Sequence, residues 1–348
     1  MAYTTIDKPS DYFESKIWTG NGSSQNISLD FAPNFVWIKQ RSATRYHNLQ
    51  DTIRGVGLQL FSNTNGADNS DTANITAFNS DGYSLGSGDN VNKNSSTYVG
   101  WSWKAGTSFS NDASGTGIGS LDSTGTFNNT SGFSIVSYTG GGSNATVKHG
   151  MDTAPSMILV KQREERSWMV YHKSTAATNW LHLDRVDVSA ADVRAWNNTE
   201  PTSSVFSLGT YDDLNESGGT YIAYCFAEKK GYSKFGSYLG NGNNDGSFIH
   251  LGSKPAFVMV KRTDATANWS LIDNKRDPFN VTYHFLEPNV SDDEFIPSSP
   301  QAAFDFCSQG FKCRSTNGAI NSSGHTFLYM AFAENPFVTS TGIPATAR

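Results

Sequence analysis

Three stretches of the chain carry one pattern: "APNFVWIKQR" at 32–41, "APSMILVKQR" at 154–163 and "KPAFVMVKRT" at 254–263. In a strand, alternate residues face opposite ways. Phe35, Trp37 and Lys39 then share one face against Val36 and Ile38. Met157, Leu159 and Lys161 oppose Ile158 and Val160, and Phe257, Met259 and Lys261 oppose Val258 and Val260. Both faces are apolar, which predicts a central strand covered on each side. The lysine falls where the strand leaves the core, its stem over apolar surface and its ammonium in water or against a carboxylate. The three lysines therefore read as architecture, not as a repeated cationic site.

The surrounding landmarks recur in the same order. An aromatic and a glycine-rich turn come first: "WTGNG" at 18–22, "YTGGG" at 138–142 and "YLGNG" at 238–242. After the lysine strand, another begins at His47, Trp168 or Trp269. Each copy closes on an aromatic strand: "TYVGWSWKAG" at 97–106, "TYIAYCFAEK" at 220–229 and "TFLYMAFAEN" at 326–335. The period is near about 100 residues, too long for a propeller blade and right for a β-sandwich. The expected fold is all-β, with three tandem β-sandwich repeats of about 100 residues. Their bounds are 1–106, 132–231 and 232–337. The Gly/Ser/Thr/Asn-rich 107–131 is expected to be a flexible linker, leaving the first repeat more independent, and 338–348 to be a tail.

Composition agrees with that class. Aromatics make up 13% and charged residues 17% of the chain, the profile of strands joined by many turns. A net charge of -6 disfavours nucleic acid as a partner, since phosphate binding needs a basic surface. "EKK" at 228–230 and "KRD" at 275–277 read as ordinary solvated charge. No run approaches the about 18 apolar residues of a membrane span. The first residues lack the pattern of a signal peptide, so folding in a cytoplasm is expected. The three cysteines argue against a disulfide framework. Cys225 and Cys313 read as core residues, and the offset of Cys307 across a hairpin does not face Cys313.

Candidate chemistry is sparse. The carboxylate runs at 164–165, 212–213 and 292–294 lie in polar stretches and read as solvated loop charge. His182 and Asp184, with His172 upstream, lack the tight spacing of a metal site. The loops at 88–94, 212–217 and 240–246 could offer oxygens to Ca2+, though turn chemistry explains the same residues and no cofactor is expected. No nucleophile or phosphate-loop motif is present, so no catalytic residues are expected. The long loop at 193–204 offers ligand-binding candidates in Arg194, Trp196 and Asn197. An aromatic between guanidinium and amide suits sugar stacking, and equally suits an anchor for the loop.

The second and third copies resemble a module of tail-fibre-like and other virion proteins of marine bacteriophages. The stretches that carry the likeness include "GFSIVSYTGGGSNATVKHG", "AWNNTEPTSSVFSLGT", "GGTYIAYCFAEKKGYSKFGSYLGNG" and "KPAFVMVKRTDATANWSLIDNKRD". "AYTTIDKPSDYFESKIWTGNGS" is similar to the opening of such proteins. One departure is His149-Gly150-Met151-Asp152, where the usual turn is glycine-rich. The resemblance implies a virion location, other virion proteins as partners, and a lectin-like or jelly-roll-like sandwich without known catalytic residues. The expected role is a tail-fibre or tail-tip adhesin for host-surface glycan. The alternative is a capsid decoration or a neck or tail structural protein, and a polysaccharide depolymerase ranks last. A homo-oligomer, with a trimer as the guess, is expected, and no membrane insertion.

Overall fold

The structure, a computed structural model, describes residues 3–295 and 303–344. It is predominantly β, with antiparallel sheets built from three sets of strands. The first set comprises β1 (Phe13–Thr19), β2 (Gln25–Ser28), β3 (Phe35–Gln40), β4 (Asn48–Asp51), β5 (Leu58–Phe61), β6 (Asn69–Ser70), β7 (Ile75–Asn79), β8 (Gly82–Leu85) and β9 (Thr97–Trp103). The second comprises β10 (Thr107–Asn111), β11 (Ser123–Asn128), β12 (Phe133–Thr139), β13 (Ala145–Lys148), β14 (Met157–Gln162), β15 (Met169–His172), β16 (Asn179–His182), β17 (Ala190–Ala191), β18 (Val205–Leu208) and β19 (Thr220–Phe226). The third comprises β20 (Ser233–Leu239), β21 (Phe248–His250), β22 (Ser253–Arg262), β23 (Ser270–Asp273), β24 (Phe304–Cys307), β25 (Gly310–Cys313) and β26 (Thr326–Pro336). The larger sheets share the orders β1-β9-β3-β4, β12-β19-β14-β15 and β20-β26-β22-β23. The smaller ones are β2-β8-β7, β13-β18 and β21-β25-β24.

The lysine strands are central and buried, as their double apolar faces require. One face packs inside its own set: Val36 and Ile38 join Tyr83 and Leu85, Ile158 and Val160 join Phe206 and Leu208, and Val258 and Val260 join Phe311 and Cys313. The other face enters a single cluster shared by all three sets. At its centre the rings of Trp103, Phe226 and Phe332 lie 6.0, 6.0 and 5.7 Å apart, nearly an equilateral triangle. The larger sheets thus converge on a filled aromatic axis.

The recurring glycine turns have a steric cause. A Cβ on Gly20, Gly140 or Gly240 would lie 2.2–2.3 Å from the carbonyl oxygen of Lys93, Glu216 or Ser322. The aromatic before each turn stacks on the closing strand at its register partner: Trp18 on Tyr98, Tyr138 on Tyr221 and Tyr238 on Phe327, at 5.0–5.6 Å.

Two expectations are corrected. The 107–131 stretch is not a linker, because β10 and β11 extend the second sheet, with Thr126 opposite Ile135 and Thr124 opposite Ser137. Nor does the first set stand apart, since its Phe13 stacks on Phe332 at 4.9 Å, its Phe35 stacks on Tyr224 at 4.2 Å and its Trp103 meets Phe226 and Phe332 edge-on. The expected tail at 338–348 is described to residue 344, where Val338 bridges Pro344.

Candidate functional site

Arg194 and Trp196 lie on α3 (Val193–Trp196), and Asn197 caps it with a left-handed backbone. Trp196 is 2% exposed and meets Tyr171 edge-on at 5.8 Å. No sugar can stack on it, because the short helix turns the indole into the sandwich core. Asn197 accepts from Asn144, and the Arg194 guanidinium holds Asp192 while lying 5.2 Å from the Tyr211 ring. Of the three, Arg194 is exposed, Asn197 is half-buried and Trp196 is buried.

His172, His182 and Asp184 do not converge. His172 takes a hydrogen bond from the Ser174 N–H at Nδ1, so its Nε2–H donates to the Tyr329 carbonyl at 3.1 Å. Burial pulls its pKa down to about 4, which keeps the ring neutral. His182 pairs with Asp187, and Asp184 caps the Trp168 N–H. Among the described residues no group of three His, Cys, Asp or Glu could hold a metal ion. The loops suggested for Ca2+ are turned inward by asparagine instead. Asn92, Asn215 and Asn321, all fully buried, end the short helices α1 (Asp89–Asn92), α4 (Asp212–Asn215) and α5 (Gly318–Asn321). Each amide nitrogen donates to two carbonyls, and each amide oxygen accepts the N–H of Asn21, Gly141 or Asn241 in the glycine turn. The three cysteines are free.

The repeated lysines are more deeply buried than expected. Lys39, Lys161 and Lys261 are 0% exposed, and among the described residues their ammoniums donate to backbone carbonyls, not to carboxylates. Burial pulls the pKa of each down to about 8. Lys261 crosses to the second set through the Val186 carbonyl. Two residues further on, the carbonyls of Arg41, Arg163 and Thr263 accept the N–H of Glu294, Asp68 and Ser189, each from a neighbouring set. These are corresponding points on three seams.

The seams carry the charged chemistry that the sequence reading overlooked. Between the first and second sets, buried Asp51 accepts from Arg54 Nε at 2.6 Å and from the Tyr224 hydroxyl at 2.7 Å. Arg54 and Arg163 both clasp Asp68. Between the third and first sets, Asp273 accepts from Arg276 Nε at 2.6 Å and from Trp101 Nε1 at 3.1 Å. Arg276 and Arg41 both clasp Glu294. Arg276 and Glu294 are therefore buried seam residues, not the solvated charge read from "KRD" and "DDE". Between the second and third sets the corresponding positions are neutral together: His172, Thr175, Ser189, Thr263 and Met330 replace Asp51, Arg54, Asp68, Arg163 and Tyr224. The three-residue spacing of "DTIR" and "DNKR" was the available signal, since it returns the arginine to its own aspartate.

Open clefts lie at the surface. An acidic one of about 630 Å³ is lined by Phe285, Glu287 and 292–295. A polar one of about 340 Å³ lies over β10–β12 with Asp112, Asp122 and hydroxyl residues. A third, of about 260 Å³, lies between Thr44–Tyr46, Asn90 and Ser291. Among the described residues no helix is long and apolar enough to cross a membrane.

With this geometry in view, the chain belongs to a family defined by sequence. It is the family described as a domain of unknown function, DUF7483, which matches residues 8–336. No curated protein and no solved structure matches the chain.

Proposed function

We propose that the chain is a non-catalytic recognition head: three tandem β-sandwiches locked around one axis, acting in a phage virion as a tail-fibre or tail-tip adhesin for host-surface glycan. The observation that carries this reading is where the polar chemistry goes. Asp51, Arg54, Asp273, Arg276, Glu294 and Lys261 are spent in holding the sets together, while Lys39 and Lys161 tie down loops of their own sets. A rigid frame of this kind leaves its surface loops and clefts to make contact with a partner. The likeness of the repeated stretches to virion proteins supplies the setting. The threefold arrangement lies within one chain, so a trimer is not needed to bury these apolar faces, and further assembly would use the outer surfaces.

The competing role is a capsid decoration or a neck or tail structural protein. Labelling intact particles with antibody against the protein, together with a glycan array of the purified chain, separates the two. Tail-tip labelling with a specific glycan hit supports the adhesin. Shell labelling, tight uptake by bare capsids and no hit support decoration. Release of sugar from host polysaccharide would overturn the non-catalytic reading.

A further inference from the structure

We propose that the cleft between Thr44–Tyr46, Asn90 and Ser291 is a sugar site that takes one pyranose ring of a surface glycan. This rests on the adhesin reading and names where on the head the glycan sits.

The Tyr46 ring is 46% exposed, and its orientation is fixed by Phe61, whose centroid lies 4.7 Å away. One face is thus occupied and the ring is held ready, so a sugar stacking on it meets little ordering cost. Beside it, the Arg45 guanidinium reaches Asp89 at 3.2 Å, and this partly exposed pair offers a donor and an acceptor together. Vicinal hydroxyls of a sugar need that combination. Arg45 Nε is shielded from solvent and has no partner among the described residues. Asn90 adds an amide, and Thr44 and Ser291 add hydroxyls. The Arg45 N–H donates to the Ser291 carbonyl at 2.8 Å, which ties the cleft across the seam between the first and third sets.

Size and distribution agree. About 260 Å³ falls just below the usual range of small-molecule pockets and suits a single ring. The corresponding positions elsewhere are Ser167 and Asn268 for Tyr46, and Arg166 and Ala267 for Arg45, so the exposed ring occurs in the first set alone among the three positions. Recognition would then use a loop that differs between sets, while the framework stays common to all three.

The test uses the full chain on an array of bacterial capsular and lipopolysaccharide oligosaccharides, followed by titration calorimetry with the strongest hit. Tyr46→Ala is expected to weaken binding by roughly tenfold, and Tyr46→Phe to stay near wild type. Arg45→Gln, which removes only a surface ion pair, is expected to weaken binding while leaving the melting temperature unchanged, and covers the case in which Tyr46→Ala misfolds. If the wild type binds and both Tyr46→Ala and Arg45→Gln bind equally well, the cleft assignment falls while the adhesin reading stands. If the wild type binds nothing on the array, both fall.

Discussion

Removing one oxygen from Tyr224 tests whether the seams hold the protein together. The hydroxyl donates to Asp51 Oδ2 at 2.7 Å and accepts from Arg54 Nη2 at 3.2 Å, with all three side chains buried. Tyr224→Phe keeps the ring and its 4.2 Å stack on Phe35, so the change is confined to that hydroxyl. Asp51 retains Arg54 Nε and the N–H groups of Ile53 and Arg54. Two charge-assisted bonds are lost in a buried site, the donation to Asp51 and the acceptance from Arg54 Nη2, together about 2–3 kcal/mol. Asp51→Asn should cost more, about 3–5 kcal/mol, because it leaves Arg54 buried against a neutral amide. The two variants contact each other, so their costs should not add, and the double variant should fall short of the sum by about 1–2 kcal/mol. Urea unfolding followed by tryptophan fluorescence measures all four proteins. The shared axis predicts one cooperative transition whose midpoint falls with each change. A shift under about 0.5 kcal/mol for Tyr224→Phe, or costs that simply add, would refute the argument that this contact couples the first and second sets.

Other consequences of the same geometry can be measured directly. Asn215→Ala breaks two amide donations and one acceptance, and should cost about 3 kcal/mol in the same unfolding experiment; Asn92→Ala and Asn321→Ala should cost about as much, and a wide spread would count against their equivalence. Lys161 has a folded pKa of about 8 against a usual 10.5, so the unfolded chain holds more protons between those values and wild-type stability should rise with pH across that window. The burial cost of its ammonium is full below pH 8, and Lys161→Met should remove the part of the rise due to this residue; an unchanged pH profile in the variant would sink the assignment. The edge strand β1 carries Glu14 and Lys16 where the covered strand β12 has Ser134 and Val136, a pattern that discourages strand addition. Lys16→Val should therefore promote concentration-dependent association, detected by light scattering, and a strictly monomeric variant would refute that role.

How much of this was legible in the sequence depends on whether the information is local. Alternation along "FVWIKQ", "MILVKQ" and "FVMVKR" marked central strands, because the period of two is a property of the strand itself. It could not say what covers each face. The face bearing Trp37, Trp101 and Trp103 reads equally well as the inside of one sandwich or as a surface shared by three, and it is the second. The stretch at 107–131 was misread for a related reason: a strand pairs through its backbone, and Ser, Thr and Gly can occupy it when a neighbouring strand supplies the partner. Trp196 shows the same limit, since its flanking Arg and Asn suit a sugar platform until the helix that turns the indole inward is known.

The seams sharpen this distinction between local and shared information. "DTIR" and "DNKR" fold an arginine onto its own aspartate, and that part is local. Whether Tyr224, Trp101 or a methionine stands opposite is decided by a residue far away in the chain, and so is the second arginine, Arg163 or Arg41, on the acid that Arg54 or Arg276 shares. The second set breaks the pattern at His172 and Thr175, and its partners Thr263 and Met330 change with it, so at these positions neither an aspartate nor an arginine is left buried without its counterpart. A charged position inserted at the neutral seam would strand a buried ion, and a neutral one inserted at the charged seams would orphan an arginine. The residue differences at corresponding positions of the three sets of strands therefore label the seams, and they favour one order of the sets around an axis that the apolar residues alone would leave nearly symmetric.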